Sequence, residues 1–274
     1  MSLNKPIWKL RDWIDKRKLN WKLLSLNKNA IEILEENRDK IDWVQLSMNT
    51  NPEAIKILEE NRDKINWYGL SSNKAAIKII EENRDKIDWF RLSFNENAIK
   101  ILEQNQDKID WIYLSSNPAA IKLLEANPNK INWSQLSLNP NAIELLIANP
   151  NKIDWYALSG NPNAIKMLET NQDKINWSHL SSNPNAMKLL MANQDKINWY
   201  QLSLNPSAID LLQANPDKID WISFSVNSAI FQLDYEAMKR NNEGIYEELI
   251  KEVMKPSRVF KNPDYDYLEE LFGD

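Results

Sequence analysis

Cysteine is absent from the 274 residues, which excludes disulfides and thiolate metal sites. Histidine occurs once, as His179, so no second imidazole is available to complete a zinc site. Glycine occurs four times, and no GxGxxG, Walker-type loop or GxSxG is present. The phosphate cradles and nucleophile elbows built on such runs are therefore missing. Positive charge is not in excess: 34 Lys and Arg stand against 39 Asp and Glu, for a net charge of −5. Binding to nucleic acid rests on cationic neutralisation of phosphates, so this balance makes nucleic acid an unlikely partner. No run of about 20 apolar residues exists to span a bilayer. The opening MSLNKPIWKLRDW lacks the apolar stretch of a signal peptide. The expectation is an intracellular protein, neither secreted nor membrane-bound, without a cofactor or metal.

What the sequence does contain is a repeat. Trp21, Trp43, Trp67, Trp89, Trp111, Trp133, Trp155, Trp177, Trp199 and Trp221 share one register. They are spaced by 22 residues except for 24 between Trp43 and Trp67, where an extra pair falls in the turn 47–52. A fixed period of this size marks stacked supersecondary units. Positions are numbered 1 to 22 from each Trp.

Position 22 is always Asp or Asn, from Asn20 to Asp220, the residue types whose side-chain oxygen caps a helix N-terminus. The preceding residue is Ile, or Leu19 in the first instance, and the residue four after the cap is Leu, or Phe224 in the last. This apolar pair is a hydrophobic staple, so a short helix A starts at the Trp. Position 7 is Asn in all ten copies, and Pro follows at position 8 in five, as at Pro118 and Pro140, with Pro52 after Asn51 as a sixth in the repeat that carries the extra pair. Asn then Pro predicts the start of helix B over positions 8–16. Position 17 is Asn in nine copies, predicted to close helix B in the left-handed conformation. Within helix B, Ala142, Ile143, Leu145 and Leu146 fill one arc at 100° per residue, a pattern that period 2 cannot sort. The expected fold is all-α: an α-solenoid of about ten 22-residue helical-hairpin repeats over 21–233. Residues 1–20 are expected to cap the first repeat, with Trp8 and Trp13 over its open face. Residues 234–274 are expected to form C-terminal capping helices.

The motif KINWSQLSLNPNAIELLIANPNK at 130–152, the opening LRDWIDKRKLNW and the tail FQLDYEAMKRNNEGIYEELIKEVMKPSRV resemble the Trp-rich tandem repeats of giant DNA viruses and their flanking segments. VMKPSRV departs from the His-Pro-Ser-Arg-like run usual there. The resemblance covers nearly the whole chain. It implies a repeat fold and a viral source, acting in the host cytoplasm or virion, and no particular activity.

Recurrent residues read as frame rather than chemistry. Ser at position 5 occurs ten times, whereas a nucleophile occurs once, beside a base; its hydroxyl is expected on a backbone carbonyl. The Asn ladders at positions 7 and 17 read as caps, a regular ligand-facing array being the alternative. Lys at position 20, from Lys40 to Lys218, reads as a solvated rim offset by Asp or Asn at position 19, with a polyanion track as the alternative. The in-register Trp reads as core against helix B, with a stacking platform as the alternative.

Function is sought where the repeats differ, at positions 2, 3 and 6 of helix A. Position 3, opposite the core, is expected to be free, and positions 2 and 6 to be divided between binding and packing of neighbours. Tyr68, Phe90, Arg91, Phe94, Tyr113, Gln135, His179 and Gln201 are the candidate contacts, in aromatic and Arg-containing patches typical of interfaces. The expected function is a non-enzymatic scaffold for a protein or extended peptide. A structural virion or assembly component is the first alternative and single-stranded nucleic-acid binding the second. The ends carry opposite charge, +5 over residues 1–22 (7 − 2) and −5 over 234–274 (6 − 11), from which weak head-to-tail self-association is expected.

Overall fold

In the computed structural model, which describes residues 6–240 and 251, the repeats are helical hairpins in unbroken succession. The A helix of the sixth repeat, Trp133–Leu138, is followed by a turn and the B helix Ile143–Ala148, then by a 3-10 turn at Pro150–Lys152. Among the described residues only two strands occur, β1 (Trp8–Leu10) and β2 (Phe231–Leu233), paired in one sheet. The chain divides into two compact bodies. One, Leu10–Phe231, holds the repeats; the other comprises 1–9 and 232–274. In the second, Asp234 donates its N–H to the Ile7 carbonyl at 2.8 Å and its carboxylate accepts from Ala237 N, capping a helical segment at 235–240. The further C-terminal capping helices expected from the sequence fall on residues 241–274, which lie, but for 251, outside the described residues.

The frame follows from three polar side chains per repeat. The position-22 oxygen accepts the N–H of position 3 in all ten copies, as from Asn132 to Gln135 at 2.9 Å. Ser at position 5 donates to the carbonyl of its own Trp, as Ser137 does at 2.8 Å. The same hydroxyl accepts the backbone N–H of position 22, as from Asp154 at 3.1 Å, pinning the end of each repeat to its beginning.

The third side chain, Asn at position 7, does more than cap. Its oxygen accepts the N–H of position 9, as Asn139 does from Asn141 at 3.0 Å. Its amide donates two bonds into the preceding repeat, from Asn139 to the Ser115 and Asn117 carbonyls at 3.1 and 2.9 Å. These Asn residues are buried throughout. A second ladder accompanies them where position 9 is also Asn, as from Asn141 to the Pro118 carbonyl.

The first Asn of this ladder does not lack a predecessor. Asn27 donates to the carbonyls of Ser225 and Asn227 at 3.1 and 2.9 Å, the same two bonds that join every other consecutive pair. Asn29 likewise reaches Ser228 O at 3.0 Å. The tenth repeat therefore precedes the first, and the solenoid is closed on itself.

The seam lies inside the tenth repeat, which is assembled from two distant stretches of chain. Residues 221–231 supply its A helix, Trp221–Phe224, and a 3-10 turn at Ser228–Ile230. Residues 10–20 supply the rest. Asn20 N donates to Ser225 Oγ at 2.8 Å, Arg11 N and Nε donate to Ile230 O and Ala229 O, and Lys18 lies over Trp221, as position 20 lies over position 1 elsewhere. The segment expected to cap the first repeat completes the tenth, which lies against the first, and its Lys16 reaches over Trp21. Trp13 packs on Phe224 at 5.9 Å between ring centroids. Within this strap the Asp15 side chain is hydrogen-bonded by Arg17, which lowers its pKa to about 2. Because the first and last repeats meet within one chain, head-to-tail association through these ends would first have to break that closure.

Three further expectations are corrected. Position-17 Asn is not left-handed: Asn149 has φ −131 and ψ 59. It closes the helix through its amide, which donates to the carbonyl four residues back, Leu145 O at 2.9 Å. Helix B begins later than position 8 in most repeats, because positions 8–10 form a tight turn and Ala at position 10 stands at its start, as Ala142 does. The two extra residues of the second repeat lie in the turn between its A and B helices, as the spacing predicts: Asn51 caps the helix Pro52–Glu60, while Asn49 keeps its place in the ladder. Finally, the Trp row is half-buried rather than core. Leu at position 4 is the fully buried residue, and each Trp ring carries a Lys ammonium on its open face, as Lys152 over Trp133 at 4.7 Å.

Trp133→Ala is accordingly expected to cost about 2–3 kcal/mol, below the roughly 3–5 of a fully buried aromatic, and Lys152→Ala about 0.5–1 kcal/mol. Urea unfolding of both variants checks this; equal losses would put the whole contribution of the Trp in its cation contact.

Candidate interaction surface

Helix A has its Leu and Ser at positions 4 and 5 turned to helix B, which leaves positions 2, 3 and 6 on the opposite arc. The structure sorts these three differently from the sequence expectation. Position 2 is the exposed one: Tyr68, Phe90, Ile112, Tyr156, Tyr200 and Ile222 are between 39% and 57% accessible. Position 3 is half-buried, as at Arg91, Tyr113, Gln135, His179 and Gln201, because it packs against position 2 of the preceding repeat. Phe90 and Tyr113 have ring centroids 4.1 Å apart, as do Tyr156 and His179. The Arg91 guanidinium lies over the Tyr68 ring at 4.2 Å, with its Nε buried and without a hydrogen-bond partner. Where position 3 is Gly69, an added Cβ would meet Met48 Cγ at 3.0 Å and Val44 O at 3.1 Å, so the preceding repeat crowds this position directly.

Of the sequence-predicted residues, Tyr68, Phe90, Arg91 and Tyr113 come together as two interlocked pairs, and Phe94 stands exposed on position 6 of the same A helix as Phe90. His179 is not a free surface histidine; it stacks on Tyr156. The residues that sequence reasoning left out are Val44, Ile112, Tyr156, Tyr200 and Ile222, all at position 2. Their common signal was the large apolar side chain recurring on a position away from the core.

Tyr113→Ala is expected to lower stability by about 1 kcal/mol through loss of its ring contact, whereas Tyr200→Ala, at an exposed position, should change it by less than about 0.5 kcal/mol. Thermal melts of the two variants give the comparison; the reverse order would restore position 3 as the free surface.

Away from the A row, a cleft of about 100 Å³ lies between the second and third repeats, lined by Arg62, Ile65, Trp67, Ile79 and Lys86 among others. It is well below the roughly 300–1,000 Å³ of small-molecule sites. Among the described residues, no group of three or more acidic or His side chains is placed to hold a metal ion, and no helix is long and apolar enough to cross a membrane. Comparison with known proteins yields no matching family, curated protein or solved structure.

Proposed function

We propose that this protein is a non-enzymatic scaffold that binds a protein or an extended peptide through the position-2 row of its A helices. The observation that carries the reading is the repeated exposure of large apolar side chains at that one position while the frame around them is buried and hydrogen-bonded. Single exposed apolar residues scattered over separate faces would be ordinary. Here they recur at the same position of seven A helices, in a run from Val44 to Ile112 and again at Tyr156, Tyr200 and Ile222, with Ser134 and Ser178 between them, and apolar patches shared in this way mark interaction sites. The frame beneath the row is buried and hydrogen-bonded in the free protein, which lowers the ordering cost of association.

Site-specific photo-crosslinking tests this. A crosslinkable residue at Tyr156 or at Tyr200 should capture one common protein from source cells, and the same residue at Ile147, exposed on a B helix, should not. Capture from Ile147 with none from the two tyrosine positions would place the binding surface on the other row.

A further inference from the structure

We infer that Tyr200 and Asp220 form a subsite for an arginine side chain of the partner. The inference rests on the binding role proposed above and names one chemical group that the position-2 row recognises.

Four position-2 residues are aromatic: Tyr68, Phe90, Tyr156 and Tyr200. Each has position 3 of the following repeat as its neighbour. That neighbour is Arg91 for Tyr68, Tyr113 for Phe90 and His179 for Tyr156, and these lie against their rings at 4.2, 4.1 and 4.1 Å. For Tyr200 the neighbour is Ser223, which is buried and too short to cover a ring. Among the described residues no aromatic or cationic group lies against the Tyr200 ring, and the residue is exposed.

Asp220 supplies an anion at the same place. A position-22 residue caps the next A helix and also faces position 2 of its own repeat. Asp154 shows both contacts: one carboxylate oxygen accepts from Ala157 N at 3.1 Å, and the other accepts from Ser134 Oγ. Asp220 makes the same cap, accepting from Ser223 N at 2.7 Å. The equivalent orientation turns its other oxygen towards Tyr200, and no donor among the described residues engages that oxygen.

The third and fourth repeats show what such a place holds. Tyr68 and Asp88 stand where Tyr200 and Asp220 stand. Lys86 lies over Trp67 as Lys218 lies over Trp199, and Asp88 caps Arg91 N at 2.9 Å as Asp220 caps Ser223 N. There the chain lays its own Arg91 guanidinium on the tyrosine ring. The nearby Lys ammonium therefore does not keep a guanidinium out of this setting. At Tyr200 the tyrosine, the carboxylate and the lysine are the same, and the arginine has to come from another molecule. A planar guanidinium stacks on the ring while donating to the carboxylate, a pairing that a compact, strongly hydrated ammonium makes less well.

The test uses the intact protein labelled with fluorotyrosine, arginine blocked at both ends as the probe, and fluorine NMR as the readout. The Tyr200 signal, identified by its absence in Tyr200→Ser, should move saturably as blocked arginine is added. Blocked citrulline, which has the same shape without the charge, should leave it in place. Asp220→Asn keeps a cap residue that five other repeats use at position 22, and it should weaken arginine binding by about two- to fivefold. Ser223→Arg, which gives the tenth repeat the position-3 residue of the fourth, should abolish the response by filling the subsite from within. Conversely, Arg91→Ser should make the Tyr68 signal respond to arginine. A Tyr200 signal that does not move, citrulline binding equal to arginine binding, or undiminished affinity in Asp220→Asn overturns the inference. So does a Tyr68 signal that stays unresponsive in a folded Arg91→Ser protein. Crosslinking from Tyr200 that persists while arginine fails to bind separates this failure from failure of the scaffold role. Arginine binding with no protein captured from either tyrosine position supports the subsite and counts against the scaffold role alone.

Discussion

Asn139→Ala is expected to cost about 3–5 kcal/mol, more than loss of the Trp in the same repeat. The residue is fully buried and its amide serves the Ser115 and Asn117 carbonyls. Each carbonyl left without its partner costs about 1–3 kcal/mol, and loss of the cap to Asn141 adds about 1. Asn139→Asp keeps the cap but replaces the donor with an anion facing two carbonyls. The folded protein then favours the protonated acid, so the pKa of the introduced carboxyl is raised on folding. Its penalty is full above that raised pKa and is relieved as pH falls through it towards the ordinary carboxyl value. Urea titrations of the Asp variant at several pH values should therefore show stability rising on acidification relative to the Ala variant; parallel curves would mean that the side chain turns out to solvent. Closure adds a second expectation. In an open array one weakened interface separates two blocks, whereas in a closed one the blocks remain joined the other way round. Asn139→Ala alone should keep a single unfolding transition. Combining it with Asn27→Ala, at the junction of the tenth and first repeats, should cost more than the sum of the two, because two breaks divide the ring. Simple additivity would show that the interfaces act independently of closure.

Removing residues 1–19 should be the most damaging change that leaves all ten Trp in place. It takes away the buried Ile14 and Leu19, the Trp13 contact with Phe224 and the Lys18 contact with Trp221. At about 1.5–3 kcal/mol for each apolar side chain buried, the loss is about 5–8 kcal/mol. Hydrogen exchange locates it. Protection should fall first at 221–231, far away in sequence from the deletion, and a synthetic peptide of residues 1–20 added in excess should restore it. Loss confined to 21–40 would instead describe a cap on the first repeat.

The local frame could be read from the residues, and the closure could not. The caps made by Asp or Asn before each Trp and by Asn at the head of helix B, and the bond from Ser to its own Trp carbonyl, act on backbone within a few positions, so those roles show in the spacing. The amide of Asn27 acts on backbone 198 and 200 residues away. In the sequence it looks like a cap and nothing more, because its oxygen does cap, to Asn29 N. The completing strap is also hidden, since residues 10–20 copy the repeat only in their last few positions, Lys18-Leu19-Asn20. Phe224, where every other repeat has Leu, was the one visible sign that the tenth hairpin is filled by something other than its own B helix. The exchange of positions 2 and 3 has a different cause. Periodicity at 100° per residue separates the core side of a helix from the far side, but not the flank that meets the preceding repeat from the flank that stays open. That is decided by the direction of stacking, which only the three-dimensional arrangement supplies. The half-burial of Trp follows from the same limit: position 1 lies at the edge of the core arc, and the Lys that covers it comes from the far end of the repeat.

Closure is measured most directly by the distance between the first and last repeats in a monomer. Cysteine is absent from the chain, so spin labels can be placed on engineered cysteines at Lys22 and Ile222, both exposed position-2 residues. Labels at Tyr200 and Ile222, on adjacent repeats, calibrate the spacing of neighbours. Pulsed electron–electron double resonance at low protein concentration should return the same short distribution for both pairs, near the spacing of packed helices at about 8–10 Å plus the label arms. An array with separated ends would place Lys22 and Ile222 several helix spacings farther apart than Tyr200 and Ile222, and that result would contradict the closed solenoid.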